Sequence, residues 1–252
     1  MKNEKKILII GDLHGEDSWK HTLEYFVPNE VETNINKYDY IIFMGDYVDS
    51  FTISNEQIRK NLIDIIELKL KYPEKIILLL GNHELHYLFD SKEFLCSGYR
   101  PEMKYDLFDI LNRNKNLFQV SFEIHSDTDK YLFTHAGIHS GFYNIYIKKY
   151  DNDETLSDSL NNLFPNYKPL YHVSWYRGGI QKQGGIFWAD KIETYKKPLK
   201  GYHQIIGHTY NKDGVKHYNN YGCDKTSTTF VDCMPIYHEL KLNVISTSKI
   251  HF

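Results

Sequence analysis

The chain has 252 residues, a formal net charge of −3, 41% hydrophobic residues and 25% charged residues. This composition is typical of a globular protein of one large or two small domains, and it excludes an intrinsically disordered chain and a fibrous repeat. A charge this close to zero gives no overall case for nucleic-acid binding, although local patches stay open.

Five short apolar runs along the chain each end at a polar loop that contains glycine. Their continuous apolar character is typical of strands buried on both faces, and it predicts strands at 6–10, 40–44, 76–80, 131–134 and 204–206. The spacers predict a helix at 56–72, with Ser54 or Asn55 as its N-cap, and less regular helices at 17–26 and 101–112. Strands that alternate with helices predict an α/β fold with a central sheet.

The pattern changes in the last part of the chain. Runs at 226–232, 236–240 and 242–245 predict short strands that follow one another as antiparallel hairpins. The stretch 151–169, rich in Asn and Lys, has the least regular pattern and is interpreted as an insertion or lid, at its widest 151–203. The chain shows no internal repeat, and we predict a single domain over residues 1–252.

Polar residues follow each of the five predicted strands. Since the carboxyl ends of parallel strands meet at one edge of a sheet, these side chains are expected to lie together. They are Asp12, His14, Asp46, Asp49, Asn82, His83, His135 and His208. Carboxylate, imidazole and amide groups bind hard or borderline divalent metals, and they are too many for one catalytic ion. Two ions about 3.5–4 Å apart, sharing a carboxylate, account for the number and suit attack on a phosphate.

These residues form five short blocks that resemble, in order, the signature blocks of the calcineurin-like metallophosphoesterases. The similarity is strongest to the phosphoprotein phosphatase branch, which includes bacterial and phage protein phosphatases and symmetrical dinucleoside-tetraphosphate hydrolases. The blocks are Gly11-Asp12-Leu13-His14-Gly15, Gly45-Asp46-Tyr47-Val48-Asp49, Gly81-Asn82-His83-Glu84, His135-Ala136-Gly137 and Gly207-His208-Thr209. One such block is weak, whereas five in order are specific. The resemblance implies an αββα sandwich of two mixed sheets flanked by helices.

The resemblance also implies a ligand set for two divalent metal ions. One ion would be held by Asp12, His14 and Asp46, and the other by Asp46, Asn82, His135 and His208, with Asp46 as the bridge. The ligand chemistry suits Mn²⁺ first, with an Fe/Zn pair as the alternative. A hydroxide bridging the two ions would attack the phosphorus without a covalent phospho-enzyme.

By the same resemblance, His83 is the general acid that protonates the leaving oxygen, oriented by Asp49. A carboxylate–imidazole hydrogen bond would raise the basicity of the ring and fix its tautomer. The alternative for Asp49 is a helix N-cap. Glu84 is expected to support its loop rather than bind metal, and His86 is interpreted as a bystander with a supporting role left open.

Two arginines that usually grip the substrate phosphate in this branch are missing. Ser50 stands where the second block usually continues with arginine, and Leu80 stands where arginine usually precedes the third block. Arg100 and Arg177 are the candidate replacements, each with solvated loop as its alternative. The Trp-Ala-Asp segment at 188–190 is a second candidate for the family's segment between the histidine blocks, and it would leave aspartate at the arginine position.

The predicted activity is therefore hydrolysis of phosphomonoesters, first of all phosphoserine and phosphothreonine in proteins. The alternative is a dinucleoside polyphosphate or another nucleotide or nucleic-acid phosphoester, because a diester carries less charge and depends less on the missing arginines. A non-catalytic scaffold is disfavoured since all the ligand positions and the acid pair are present.

Compartment and partners follow from what the chain does not contain. No segment has the length and apolar character of a membrane-spanning helix, and the apolar run after residues 1–6 is too short for a signal peptide. Three cysteines are an odd, sparse count that argues for a reducing compartment. We predict a cytoplasmic enzyme whose partner is its phosphorylated substrate, with no membrane and no obligate protein partner.

Overall fold

The computed structural model describes residues 2–24, 28–89, 96–220, 225–234 and 236–245. The strands are β1 (Lys2–Ile10), β2 (Tyr40–Phe43), β3 (Ile76–Leu79), β4 (Phe118–Gln119), β5 (Ser121–His125), β6 (Lys130–Thr134), β7 (His203–Ile206), β8 (Lys216–Asn219), β9 (Ser227–Phe230) and β10 (Tyr237–Ile245). The helices are α1 (Trp19–Thr22), α2 (Pro28–Asn36), α3 (Asn55–Lys71), α4 (Asn82–Leu88), α5 (Lys104–Arg113), α6 (Ser140–Phe142), α7 (Leu156–Leu163) and α8 (Lys191–Lys196).

The strands form two mixed sheets of five strands each. The first has the order β10-β1-β2-β3-β4, in which β1 to β4 are parallel and β10 is antiparallel to β1. The second has the order β5-β6-β7-β9-β8, in which β6, β7 and β9 are parallel and both outer strands are antiparallel. Helices pack on the outer faces, so the fold is α/β with two mixed sheets between helices, as predicted.

Three apolar layers hold this sandwich together, because successive side chains of a strand point to opposite faces. Ile7 and Ile9 of β1 enter the layer between the sheets, where they meet Phe133 of the second sheet. Leu8 and Ile10 face the other way, into the layer beneath α3 and α5. A third layer lies outside the second sheet and includes residues of α6, α7 and the 151–203 segment: Leu132, Phe142, Leu156, Leu160, Leu170 and Phe187.

The predicted strands at 6–10, 40–44, 76–80, 131–134 and 204–206 are all present, as β1, β2, β3, β6 and β7. The helix predicted at 56–72 is α3, and the Ser54 hydroxyl caps it by accepting the Gln57 N–H at 3.2 Å. The helix predicted at 101–112 begins as a 3₁₀ turn and continues as α5. The one at 17–26 is reduced to α1, and residues 25 and 26 of it lie outside the described residues.

The predicted C-terminal hairpins are wrong. Residues 237–245 form one strand, β10, which pairs along its whole length with β1 of the first sheet. β9 instead lies parallel to β7 in the second sheet, with β8 as its antiparallel neighbour. The runs at 226–232 and 236–245 are therefore consecutive in the chain but belong to different sheets. Among the described residues, no helix is long and apolar enough to cross a membrane.

Candidate active site

The predicted site residues lie at the carboxyl ends of β1, β2, β3, β6 and β7, where the chain turns sharply. Four of them have a left-handed backbone: His14 (φ 46°), Asp46 (φ 51°), Asp49 (φ 64°) and His208 (φ 63°). Non-glycine residues in this region cost on the order of 1–3 kcal/mol each, and they persist where the surrounding structure holds them, often at functional sites. Among the described residues only Glu24 shares this feature without being a predicted site residue.

Glycine allows the turns to approach one another. A Cβ atom on Gly81 would lie 2.2 Å from Asp46 Oδ1, and one on Gly207 would lie 2.3 Å from Asp12 Oδ1. Both distances are far below ordinary van der Waals contact, so any side chain at these positions would displace a site carboxylate. The glycines therefore set how closely the loops pack.

Glu84 joins two of these loops through its completely buried carboxylate. It accepts the backbone N–H of Gly81 at 2.8 Å, of Asp46 at 3.0 Å and of Tyr47 at 2.7 Å. Burial, followed by the negative charge of Asp46, raises the pKa of Glu84 to about 7. Its contacts are all to backbone, which is the loop-supporting role predicted for it.

The candidate ligand atoms form two clusters that share Asp46. One contains His14, Asp46 and His83, with Asp46 Oδ2 at 3.8 Å from His14 Nε2 and 4.0 Å from His83 Nε2. The other contains Asp46, His135 and His208, with Asp46 Oδ2 at 3.4 Å from His135 Nε2. Asn82 belongs beside this second cluster, since its Oδ1 is 2.8 Å from His135 Nε2.

The histidine tautomers suit metal binding. His135 Nδ1 donates to the Met44 carbonyl at 2.8 Å, and His14 Nδ1 lies 3.1 Å from the Asp49 carbonyl. A backbone partner on one ring nitrogen is the usual arrangement of a metal-binding histidine, and it leaves the Nε2 lone pair for the ion. Each Nε2 atom then points toward the Asp46 carboxylate.

The spacing of the second cluster also fits a metal ion. His135 Nε2 lies 2.8 Å from Asn82 Oδ1, 3.1 Å from His208 Nδ1 and 3.4 Å from Asp46 Oδ2. Ligands about 2.1 Å from a common ion are themselves about 3.0–3.4 Å apart. In the metal-free protein these contacts need a proton on His135 Nε2, and a divalent cation bound by the same groups would take the place of that proton. The residues present therefore fit a divalent metal.

Asp12 lies beside the clusters but is not a member of either. Its Oδ2 accepts the His208 backbone N–H at 2.8 Å, while its buried Oδ1 has no hydrogen-bond partner. Burial, together with the charges of Asp232 and Asp46, raises the pKa of Asp12 well above its usual range. An unpartnered buried carboxylate oxygen is costly, and a cation at the predicted first site would satisfy it.

The structure brings Asp49 and His83 into contact. Asp49 Oδ2 lies 2.9 Å from His83 Nδ1, which directs His83 Nε2 toward the Asp46 carboxylate. Burial lowers the pKa of His83, but the charges of Asp46 and Asp49 outweigh it and the net shift is upward. Asp49 is not the N-cap of α3, a position that Ser54 occupies.

Two further residues of α4, His86 and Tyr87, contact Asp49. His86 is buried and its Nε2 lies 2.7 Å from Asp49 Oδ2, so it contacts the pair rather than standing apart. Tyr87 was not singled out from the sequence, yet its hydroxyl donates to Asp49 Oδ1 at 2.5 Å. The signal that could have found it is its place one helical turn after His83, on the same face of a helix.

A cleft of about 560 Å³ opens over these residues. It is lined by His14, Asp46, Asn82, His83, Arg177 and His208, among others. Trp188 forms part of the wall, with its ring edge-on to the His208 ring at 5.8 Å. Four of the six ligand candidates, the acid candidate and one arginine thus line a single opening.

The two predicted phosphate-binding arginines are placed differently. Arg177 lines the cleft; its Nε lies 2.9 Å from Asp190 Oδ2 and its Nη2 donates to the Thr209 hydroxyl. The two alternative segments of the sequence therefore meet, with Asp190 anchoring Arg177.

Arg100 is not among the cleft-lining residues: its Nη2 donates to the carbonyls of Ser50 at 2.5 Å and Ile53 at 2.6 Å. The Arg100 side chain therefore binds the loop that follows Asp49 and does not line the cleft.

Asp232 is a further acidic group that sequence reasoning missed. It follows β9, and its Cα is 3.5 Å from where a Cβ of Gly11 would lie, directly beside Asp12. Burial and the charge of Asp46 raise the pKa of Asp232 to about 7. The rule that found the other residues, a polar side chain after a buried strand, applies to it as well.

Comparison with known proteins identifies the family of the chain. The family model described as calcineurin-like phosphoesterase matches residues 5–226. Human serine/threonine-protein phosphatase 5 is 32% identical over 111 residues, which are 43% of this chain and 20% of that protein. A PP2A-like serine/threonine-protein phosphatase of Candida albicans is 37% identical over 81 residues, which are 32% of this chain and 17% of that protein. The chain thus matches at most a fifth of the length of these two relatives.

Among solved structures, a mutant cold-active protein tyrosine phosphatase shares the fold. The alignment has a TM-score of 0.50 and 16% sequence identity, and it covers 90% of this chain and 71% of that one. At this identity the similarity concerns the architecture of the two sheets and their helices.

Proposed function

The chain belongs to the calcineurin-like phosphoesterase family, and from this premise we propose that it is a phosphomonoesterase that works with two divalent metal ions. Its substrates, in this proposal, are phosphoserine and phosphothreonine in proteins. The serine/threonine phosphatase relatives support this substrate class.

The observation that carries the proposal is the position of Asp46. Its Oδ2 faces His135 Nε2 at 3.4 Å and His14 Nε2 at 3.8 Å, and these two histidines belong to different clusters. A carboxylate shared in this way is what a two-metal centre requires. When bound, the ions supply an activated water and neutralise the charge on the phosphate.

The chain's own residues supply the remaining functions. His83 delivers a proton to the leaving oxygen, since its Nδ1 is fixed by Asp49 at 2.9 Å and the residue lines the cleft. A positioned proton donor contributes about 10²–10⁴-fold in rate. Arg177 orients the phosphate from the cleft wall, because a guanidinium has five N–H donors and its contacts to Asp190 and Thr209 leave others available.

The small number of arginines at the cleft favours a second candidate function. This is hydrolysis of a nucleotide or nucleic-acid phosphodiester, or of a dinucleoside polyphosphate. Leu80 is buried, Ser50 is too short to reach a phosphate as arginine does, and Arg100 is used by the loop at 50–53. Arg177 is then the one predicted arginine left at the cleft among the described residues. A phosphodiester carries one negative charge and needs fewer cations than a dianionic monoester.

The metal pair and the location belong to the same proposal. Oxygen and imidazole ligands suit Mn²⁺, with Fe and Zn as the alternative pair. We place the enzyme in the cytoplasm, with the phosphorylated substrate as its partner and no obligate protein partner.

The test is Mn²⁺-dependent hydrolysis of p-nitrophenyl phosphate measured beside bis-p-nitrophenyl phosphate. We expect the monoester to be hydrolysed with the higher kcat/KM. Preference for the diester would move the assignment to the second candidate. No Mn²⁺-dependent or Fe/Zn-dependent turnover of either compound would overturn the proposed activity.

A further inference from the structure

Helix α4 holds the side chain of Asp49 from two of its turns. His83 Nδ1 lies 2.9 Å from Asp49 Oδ2, and four residues later the Tyr87 hydroxyl donates to Asp49 Oδ1 at 2.5 Å. Residues at this spacing lie one above the other on a helix face. Each oxygen of the Asp49 carboxylate thus has its own hydrogen-bond partner on α4, which fixes both the position and the plane of the carboxylate.

Tyr87 is suited to donate permanently. It is 2% exposed, and burial together with the charge of Asp49 raises the pKa of its phenol above its usual range, so the hydroxyl keeps its proton. Its oxygen in turn accepts the Arg100 backbone N–H at 3.2 Å. Because the Arg100 side chain binds the carbonyls of Ser50 and Ile53, Tyr87 is also linked to the loop that follows Asp49.

Asp49 needs such support because its backbone is strained. Its φ of 64° lies in the left-handed region, which an aspartate adopts at a cost. In this conformation its carbonyl also faces His14 Nδ1 at 3.1 Å. A shift of Asp49 would therefore disturb the orientation of two site histidines.

We propose that Tyr87 is a positioning residue for the phosphoesterase reaction: its hydroxyl fixes the Asp49 carboxylate, and Asp49 in turn fixes the His83 imidazole. This inference rests on the proposed function, in which His83 protonates the leaving oxygen. His86 adds a contact of 2.7 Å from its Nε2 to Asp49 Oδ2. The transferred proton comes from His83, and Tyr87 is not among the residues that line the cleft.

Loss of the hydroxyl has a distinctive consequence. Without the donor from Tyr87, Asp49 Oδ1 becomes a buried acceptor lacking that hydrogen bond, and the carboxylate is free to rotate away from His83. Proton delivery then weakens, while His14 keeps its contact, because that contact is made to the Asp49 backbone carbonyl and not to its side chain. The loss matters most for substrates whose leaving oxygen must be protonated.

The experiment compares Tyr87→Phe with Tyr99→Phe and with wild type. The ring of Tyr99 packs against those of Tyr87 and His86, and among the described residues its hydroxyl makes no hydrogen bond to Asp49. Each protein is assayed with Mn²⁺ on phenyl phosphate, whose leaving group needs a proton, and on p-nitrophenyl phosphate, whose leaving group is a stable anion. His83→Asn, expected to lose about 10²–10⁴-fold on phenyl phosphate, sets the size of a complete loss.

For Tyr87→Phe we expect kcat to fall about 10-fold on phenyl phosphate and less than about 3-fold on p-nitrophenyl phosphate, with KM and metal content unchanged. Tyr99→Phe should leave both rates within about 2-fold of wild type. An equal loss on both substrates, or no loss, would overturn the positioning role, because a general loss of folded enzyme does not depend on the leaving group.

A second measurement needs neither a variant nor turnover. In the metal-free wild-type protein, the proton NMR spectrum should contain a slowly exchanging downfield hydroxyl resonance with cross-peaks to the Tyr87 ring. Absence of that resonance overturns the inference even where Tyr87→Phe does not fold. If wild type hydrolyses neither substrate, the proposed function fails, and this resonance still decides whether Tyr87 holds Asp49.

Discussion

The carboxylate of Asp46 faces three imidazole rings at once, those of His14, His83 and His135. Burial raises the pKa of Asp46, but these three histidines outweigh it and hold the pKa well below its usual range. Asp46 is therefore an anion in the folded protein. A residue of this kind can serve two cations, and its own charge is needed for both.

The substitution Asp46→Asn tests whether the Asp46 carboxylate serves both metal ions. We expect turnover to fall by at least about 10³-fold and the Mn²⁺ content to drop, because the amide keeps the shape but removes the negative charge common to both clusters. Metal content is measured by elemental analysis after dialysis. Asp213→Asn, at an exposed carboxylate paired with Lys216, is the matched control and should change neither quantity. Full activity in Asp46→Asn would contradict the two-metal proposal.

Arg177 is expected to act on binding. Its guanidinium is held at the cleft wall by Asp190 and Thr209, so it is preorganised for a phosphate oxygen. Arg177→Ala should raise KM for p-nitrophenyl phosphate about 10-fold, since a charge-assisted hydrogen bond contributes about 1.5–3 kcal/mol. Arg113→Ala removes an exposed arginine paired with Asp109 and should leave KM unchanged. An unchanged KM in Arg177→Ala would make Arg177 a structural residue only.

At the level of single elements, α4 shows what the sequence could and could not predict. The side chains at its start follow a buried strand and belong to a recognisable block, so Asn82 and His83 were predictable. Helical spacing places Tyr87 on the face of His83 and left a supporting role open for His86, but it does not show that Asp49, from the end of another strand, lies against them. A helix of seven residues also has too few turns for a clear apolar period.

Strand prediction has the same limit: a local apolar run can be recognised in the sequence, whereas a distant pairing partner cannot. β1, β2 and β3 are predictable because they are buried on both faces and read as continuous apolar runs. β8 alternates between half-buried Lys216 and Tyr218 and exposed His217 and Asn219, so it gives no such run. The pairing of β10 with β1 joins the two ends of the described chain, for example Leu240 with Ile7, and strand spacing alone carries no information about such a distant partner.

Glu84 gives the element-scale prediction, because it ties the start of α4 to the turn after β2. In Glu84→Gln, one carboxamide position becomes a donor and must face a backbone N–H of Gly81, Asp46 or Tyr47. We expect the free energy of unfolding to fall by about 1–3 kcal/mol, the usual cost of a buried group left unsatisfied. Urea denaturation measures it. Glu67→Gln, at an exposed carboxylate of α3, is the control, and equal stability of the two variants would contradict this role.

At the scale of the whole molecule, four acidic side chains, three buried and one half-buried, lie near one another where the two sheets meet. Asp12, Asp46 and Asp232 follow β1, β2 and β9, and Glu84 lies in the first turn of α4. Burial and mutual repulsion raise the pKa of Asp12 well above its usual range, and those of Glu84 and Asp232 to about 7. The fold thus brings together negative charges that repel one another unless a proton or a metal ion neutralises them.

This arrangement predicts that metal ions stabilise the protein more as the pH rises. A carboxyl with a raised pKa contributes most to the metal-free fold at low pH, when it is protonated, and loses that contribution as the pH rises through the raised value. A metal ligand must give up its proton before it binds, so acid competes with the metal. The rise in Tm caused by Mn²⁺ over a chelator should therefore be larger at pH 8 than at pH 5.5.

Thermal unfolding at the two pH values measures this difference. Mn²⁺ at about 100 times its Kd stabilises by about 2.7 kcal/mol, or about 5–10 °C in a protein of this size, and we expect that shift at pH 8. At pH 5.5 it should fall to less than half. Asp46→Asn, which lacks the shared ligand, should show little Mn²⁺ shift at either pH. A shift as large at pH 5.5 as at pH 8 would mean that the buried carboxylates around Asp46 do not lose protons to the metal.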